Sequence, residues 1–151
     1  YASTMVIDDG AVKAGIRALR TGAPVVTDVE MTRHGIIGVR CECYLGRSST
    51  TADGASTRSA GGIRIAAEHH PRGAVVVIGC APTALEEVVR LHRAGEFDPA
   101  LVIGLPVGFV GAAEAKQSLR SSGLASISNV GEKGGSAVAA AALNAIARVD
   151  P

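Results

Sequence analysis

The chain has 151 residues, 47% of them hydrophobic, with 15 Lys and Arg against 14 Asp and Glu and a net charge of +1. That is the size of one compact α/β domain with a real core, and a charge balance without the electrostatic footprint of duplex binding. Two Phe, two Tyr and no Trp supply no base-stacking platform for single strands, so no nucleic-acid partner is expected.

Three cysteines do not make a disulfide framework and point to a reducing cytoplasm. The longest apolar run, Ala100 to Ala113, holds a proline and three glycines. It is shorter than the roughly 20 residues a membrane helix requires. No signal peptide is legible, and no membrane partner is expected. The chain opens on Tyr1, inside the segment YASTMVI, which leads us to expect further residues upstream.

In chain order, Asp8 is placed to cap a helix carrying Val12, Ile16 and Leu19 on one face, with Gly22 ending it. PVVTD, Pro24 to Asp28, reads as a short buried strand, and VEMTRHG as a turn or single helical turn ending at Gly35. IIGVRCECYL alternates, with Val39, Cys41 and Cys43 facing one way and Arg40, Glu42 and Tyr44 the other, the pattern of a half-exposed strand. RSSTTADGAS, Arg47 to Ser56, is small and polar and reads as a mobile loop. A helix is expected from about Thr57 to His69.

From there strands and helices alternate plainly: GAVVVIG, then PTALEEVVRLHRAG with Pro82 in the first turn, then ALVIGLP. A helix from Ala112 to about Ser121, the strand ASISNV and the alanine-rich helix GSAVAAAALNAIARV complete the chain. The alternation predicts an α/β fold of three layers, α/β/α, around a mainly parallel sheet, as a single domain over residues 1–151.

Ligands of such sheets bind outside the carboxyl ends of the strands. Asp28 to His34, Gly79 to Thr83, Leu105 to Gly111 and Gly131 to Ser136 all fall at such ends and would line one rim. The glycine spacings there match neither dinucleotide nor P-loop fingerprints. Gly134, Gly135 and Ser136 open a helix, where bare N–H groups attract an anion; a tight turn requiring positive φ is the competing reading.

Cys80, at a strand-to-helix turn, resembles a nucleophile elbow with a helix N-terminus to lower its pKa, but Pro82 stands where the second elbow glycine belongs. A buried or half-buried bystander thiol explains it as well. Cys41 and Cys43 lack a partner pair, so no metal site is expected. His69, His70 and His92 sit at or near helix ends on polar faces and are expected in solvent. His34 follows Asp28 and Glu30, where a carboxylate would orient it for acid–base work, or where it is merely structural. Arg58, at a helix start, suits a carboxylate or is simply solvated.

The stretches IGCAPTAL, PALVIGLPVGFVGAAEAK and GEKGGSAVAAAALNAI, with GAPVVTDVEM and STRSAGGI before them, resemble the precorrin-8X methylmutase family in the same order, from about Asp9 to Arg148. The resemblance implies an isomerase of cobalamin biosynthesis, acting as a homodimer and without a cofactor. It would move a methyl group between adjacent carbons of a tetrapyrrole, precorrin-8X or its cobalt form, to give hydrogenobyrinate or cobyrinate. The shift is thought to be a sigmatropic rearrangement started by a proton. The enzyme then supplies that proton and holds the ring still.

Carried onto this chain, the resemblance gives substrate contacts at Asp28, Arg58, Ser59, Cys80, Thr83, Gly108, Phe109, Gly111, Lys133, Gly134, Gly135 and Ser136. Gly104, Gly108 and Gly111 would let a flat ring approach the backbone, and Phe109 would pack on it. Cys80 and Ala115 stand where the family usually has asparagine and serine. The family's acid histidine lies upstream of the matching part, so His34 is not that residue and no catalytic residue is assigned. A chain that truly starts at Tyr1 is expected to bind weakly and not turn over. The rival readings are a nucleotide-binding module, a thiol hydrolase using Cys80, and a non-catalytic remnant.

Overall fold

The computed structural model describes residues 1–48 and 57–149. Six strands form one sheet in the order β1-β6-β5-β4-β2-β3: β1 Met5–Ile7, β2 Val25–Thr27, β3 Cys41–Cys43, β4 Val75–Ile78, β5 Leu101–Gly104 and β6 Ser126–Asn129. Strands β2 to β6 are parallel to one another, while β1 pairs antiparallel to β6, with Met5 opposite Asn129. The described helices are α1 Ala11–Arg20, α2 Glu30–Gly35, α3 Arg58–His69, α4 Pro82–Arg93, α5 Ala112–Arg120 and α6 Ser136–Ala147.

The two-residue period of the strands sorts the layers. On β4, Val75 and Val77 join one core with Ala11 and Ala18 of α1 and Ala139, Leu143 and Ile146 of α6. Val76 and Ile78 join the other, with Ile63 of α3, Leu85 and Val88 of α4 and Leu119 of α5. Each β4 side chain is fully buried, which is why the strand reads VVVI without alternation. The expected α/β/α layering is present. Chain direction across the sheet reverses between β2 and β4: β2 is followed by its outer neighbour β3, and the chain then returns to β4 and moves on through β5 and β6. In a sheet of this kind that reversal opens a crevice at the carboxyl ends of β2 and β4.

Several local expectations are corrected. Met5–Ile7 form a strand that the sequence did not announce. Asp8 caps no helix; its carboxylate accepts from the Ser126 amide at 3.0 Å and the Ser126 hydroxyl at 2.7 Å, pinning β1 to β6. Gly10, at φ 83°, caps α1 instead. Helix α1 buries Ala11, Gly15 and Ala18 while Val12 is exposed, because the helix lies so close that a Cβ on Gly15 would stand 2.7 Å from Leu101.

The edge strand β3 is half-buried along its length, as its alternation suggests, with Cys41 packed against one core; Tyr44 just beyond it, expected to face outward, is instead buried at 4% exposure against Val26 and Ala66. The predicted loop Arg47 to Ser56 begins in a 3-10 turn, Leu45–Arg47, and its residues 49–56 lie outside the described residues.

Candidate functional site

Asp28 leaves the end of β2 and turns inward, 2% exposed. Its Oδ1 accepts from the Gly79 amide at 3.0 Å and the Thr32 hydroxyl at 3.2 Å, and its Oδ2 from the Cys80 and Ala81 amides at 2.9 and 2.8 Å. The carboxylate thus satisfies the consecutive N–H groups that lead into α4, donors that would otherwise be orphaned at a helix start. With its proton on Asp28, Thr32 Oγ1 is left to accept from the Ser136 hydroxyl, 2.9 Å away. Gly79 has no room for a side chain, since a Cβ would meet Thr32 Oγ1 at 2.6 Å and Ser136 Cα at 2.7 Å. The first residue of α6 therefore rests on the turn after β4.

The other two turns are stitched to this one. Leu105 N donates to Ile78 O at 2.9 Å, and Gly135 N to Leu105 O at 2.9 Å. A Cβ on Gly134 would lie 2.3 Å from both the Leu105 and the Pro106 carbonyl oxygens, so two backbones touch at that point and only glycine fits. Gly108, at φ 146°, donates its N–H to Glu132 O at 3.1 Å. Beyond it the loop tip stands free, with Phe109 92% and Val110 88% exposed. Thr57, which caps α3 by accepting from the Ala60 amide at 3.1 Å, lies 2.8 Å from the Thr83 hydroxyl in the first turn of α4. The positive ends of α3, α4, α5 and α6 consequently share one rim.

The rim brings together Thr83, Gly108, Phe109, Gly111, Lys133, Gly134 and Ser136 among the expected contacts. Arg58 is exposed at the start of α3, its guanidinium 3.4 Å from Leu45 O, and Ser59 beside it is half-buried. Asp28 is at the rim but its oxygens are occupied by the turn it holds. The Gly135 N–H is committed to Leu105 and is not available to an anion. Gly104 serves packing rather than a ring: a Cβ there would meet Leu119 at 2.5 Å and Leu85 at 3.1 Å.

Cys80 is exposed, not buried. Desolvation and the neighbouring Asp28 carboxylate both push its thiol up from its ordinary pKa, the opposite of what a nucleophile elbow requires. His34 is not oriented by Asp28. Its side chain is 71% exposed, 3.8 Å from Glu30, whose carboxylate is held at 2.5 Å by Arg33. His70 and His92 are half-buried rather than in solvent. His92 Nδ1 lies 3.1 Å from Phe97 O, and His70 Nε2 lies 3.4 Å from both Tyr44 Oη and Glu42. A cavity of about 600 Å³, lined by Pro24, Val39, Arg40, Glu42 and His70 among others, is at the amino end of the sheet, away from the rim.

Sequence reasoning missed Thr32, Lys116 and Asn129. Lys116 is fully buried, and its ammonium donates to Gly131 O at 2.9 Å and Lys133 O at 2.5 Å. Burial, with the charge of Arg120 nearby, lowers its pKa to about 8. The signal lies in the helical period: Ala112, Ala115 and Leu119 mark the buried stripe of α5, and a lysine at position 116 falls on it. Asn129, also fully buried, donates to Lys133 O at 2.9 Å.

A doubly wound α/β domain whose rim gathers glycine turns and helix N-termini is suited to a large anionic ligand. The model of the precorrin-8X methylmutase family matches residues 1–149, and the chain belongs to that family. Over 153 aligned residues it is 42% identical to a cobalt-precorrin-8 methylmutase of Priestia megaterium, covering 95% of this chain and 68% of the relative. It is also 42% identical to a precorrin-8X methylmutase of Pseudomonas aeruginosa, over 94% of this chain and 76% of that one.

Among solved structures, a precorrin-8X methylmutase related protein superposes with a TM-score of 0.88 at 40% identity, covering 97% of this chain and 82% of its own. The precorrin-8X methylmutase of Thermus thermophilus superposes at 0.87 with 35% identity, over 98% and 77%. These matches give no support to the nucleotide-binding or thiol-hydrolase readings. No described helix is long and apolar enough to cross a membrane.

Proposed function

We propose that this chain binds precorrin-8X, or its cobalt-bearing counterpart, and belongs to an isomerase that moves a methyl group to the neighbouring ring carbon, giving hydrogenobyrinate or cobyrinate. The observation that carries the reading is the convergence of the β4–α4, β5–α5 and β6–α6 turns on one rim, bonded through Leu105, Gly108 and Gly135. The ring is flat and its edge is crowded with acetate and propionate carboxylates. A flat face suits the bare backbone at Gly108 and Gly111 and the exposed ring of Phe109. The carboxylates suit Arg58, Lys133, Thr83, Ser136 and the helix N-termini behind them.

The reaction asks for one proton and a fixed ring, so the rim's contribution is to orient the macrocycle. The family resemblance assigns the acid to a histidine upstream of the matched part. Strand β1 runs antiparallel to β6, and Tyr1 Oη donates to Gly134 O at 3.0 Å, so chain arriving at Tyr1 would arrive beside the β6–α6 turn. The active unit is a homodimer in the cytoplasm. Met31 and Ile37, 74% and 68% exposed at α2 and its exit, offer apolar surface for such pairing outside the rim turns.

Titration with hydrogenobyrinate followed by visible absorption tests the reading. A saturable spectral change whose midpoint moves to about tenfold higher ligand in Phe109→Ala supports it. No saturable change, with a melting temperature raised by NAD or ATP instead, overturns it; a ligand at 100 times its Kd adds about 2.7 kcal/mol of stability.

A further inference from the structure

Lys116 is a cost that the fold has accepted. A fully buried ammonium loses its hydration, and an apolar residue would suit the stripe between Ala112, Ala115 and Leu119 better. What the lysine does in return is specific. Its Nζ holds Gly131 O at 2.9 Å and Lys133 O at 2.5 Å, while the Gly108 N–H holds Glu132 O at 3.1 Å. The carbonyls of residues 131, 132 and 133 are therefore all captured by donors from the β5–α5 unit. Asn129 Nδ2 adds a second donor to Lys133 O, and Arg120, one turn further along α5, donates to Asn129 O at 3.0 Å.

With its carbonyls drawn toward α5, the β6–α6 loop turns its other polar groups away. The N–H groups of Glu132, Lys133, Gly134 and Ser136 find no acceptor among the described residues. Glu132 and Lys133 are exposed, and Gly134 and Ser136 partly so. Peptide planes fix donor and acceptor on opposite sides, so whatever captures the carbonyls also aims the amides.

We infer that Lys116 is a positioning residue for the substrate's carboxylates: by holding the Gly131 and Lys133 carbonyls from behind, it presents the amides of the β6–α6 loop on the rim as a carboxylate-binding array. The inference rests on the proposed macrocycle site and deepens it. Lys116 touches no substrate itself. It joins the two turns flanking α5, so that the loop carrying the amides and the loop carrying Phe109 move as one piece.

The test compares one macrocycle in two forms, hydrogenobyrinate and the same ring with its carboxylates converted to amides, binding to the wild-type chain and to Lys116→Met by NMR titration. The wild type should prefer the acid by about tenfold, the scale of charge-assisted hydrogen bonds lost on amidation. Lys116→Met should bring that ratio to within about twofold of unity, because it removes the aim of the amides and not the ring contact. A variant that is merely less stable weakens both ligands alike and keeps the ratio; that result overturns the inference.

A wild type that binds neither form overturns the macrocycle reading itself, which is a different failure. Should Lys116→Met not fold, the wild type still decides. Added hydrogenobyrinate should shift the amide resonances of Glu132, Lys133 and Gly134 more than the amidated ring does. Equal shifts with both ligands would refute the role of Lys116.

Discussion

The carboxyl rim and the α3–α4 face are joined by opposite means. At the rim, backbone meets backbone: Gly134 lies against the Leu105 and Pro106 carbonyls, Gly135 bonds Leu105, and Gly108 bonds Glu132. The buried side chains Asp28, Lys116 and Asn129 take part mainly by gripping main-chain groups, and the side-chain pairs there, Thr32–Ser136 and Thr57–Thr83, are short hydroxyl contacts. Between α3 and α4 the join is side chain to side chain. Glu87, nearly buried, accepts from Arg64 at 2.7 Å and from Arg90 at 2.7 and 3.0 Å, above a layer of Ile63, Leu85 and Val88. A backbone join fixes atoms that a ligand can read and tolerates no added carbon. A side-chain join can repack, and so serves stability more than recognition.

That contrast can be broken most severely at Gly134. Gly134→Ala should cost about 3 kcal/mol, since neither facing carbonyl can withdraw without moving a turn, and should abolish macrocycle binding; a urea unfolding series and the hydrogenobyrinate titration read both. Asp28→Asn comes next. An amide supplies one acceptor where the turn requires two and sets an NH₂ against an N–H, so a loss of about 2–3 kcal/mol is expected in the same unfolding series.

On the α3–α4 face, Glu87→Gln should cost about 2 kcal/mol at pH 7, less than the rim changes. Burial alone would raise the Glu87 pKa, but hydrogen bonds and charge from Arg90 and Arg64 outweigh it and lower the pKa from its usual value of 4.5. A depressed folded pKa means stability that is present above the unfolded value and lost as pH falls through the folded one. The wild type's advantage over Glu87→Gln should therefore be full at pH 7 and shrink in acid; an advantage unchanged at pH 3 would contradict the ion triad.

Smaller effects sharpen the comparison. Phe109→Ala should leave the unfolding midpoint within about 0.5 kcal/mol of wild type, because the ring packs on so little, while weakening hydrogenobyrinate binding by about tenfold. Cys80 should react with iodoacetamide at pH 7 more slowly than free cysteine despite its exposure, since partial desolvation of the thiol and the Asp28 charge both raise its pKa. Fast alkylation there would revive a nucleophilic role.

Elements that follow from local pattern are legible in the residues themselves. Helix α3 begins where Thr57 can cap it, α4 where Pro82 can start it, and β4 and β5 lie where short apolar runs are bounded by glycines. Less legible are features whose partners are far away along the chain. Asp8 looks like a cap because a helix follows it, yet its partner is Ser126. Tyr44 looks outward because its strand alternates, yet it packs under α3 against Val26 and Ala66. Gly104 looks like a place for a ligand, and is a place for Leu119.

The amino-acid order by itself determined the family, the layered fold and which turns would share a rim, because period, caps and glycine spacing act over a few residues and strand polarity follows from their alternation. Only the tertiary structure decided what each rim group is free to do. Whether a carboxylate, an amide or an ammonium faces a ligand or a neighbouring backbone depends on which distant peptide stands opposite it, and that is set by how the turns after β2, β4, β5 and β6 close on one another.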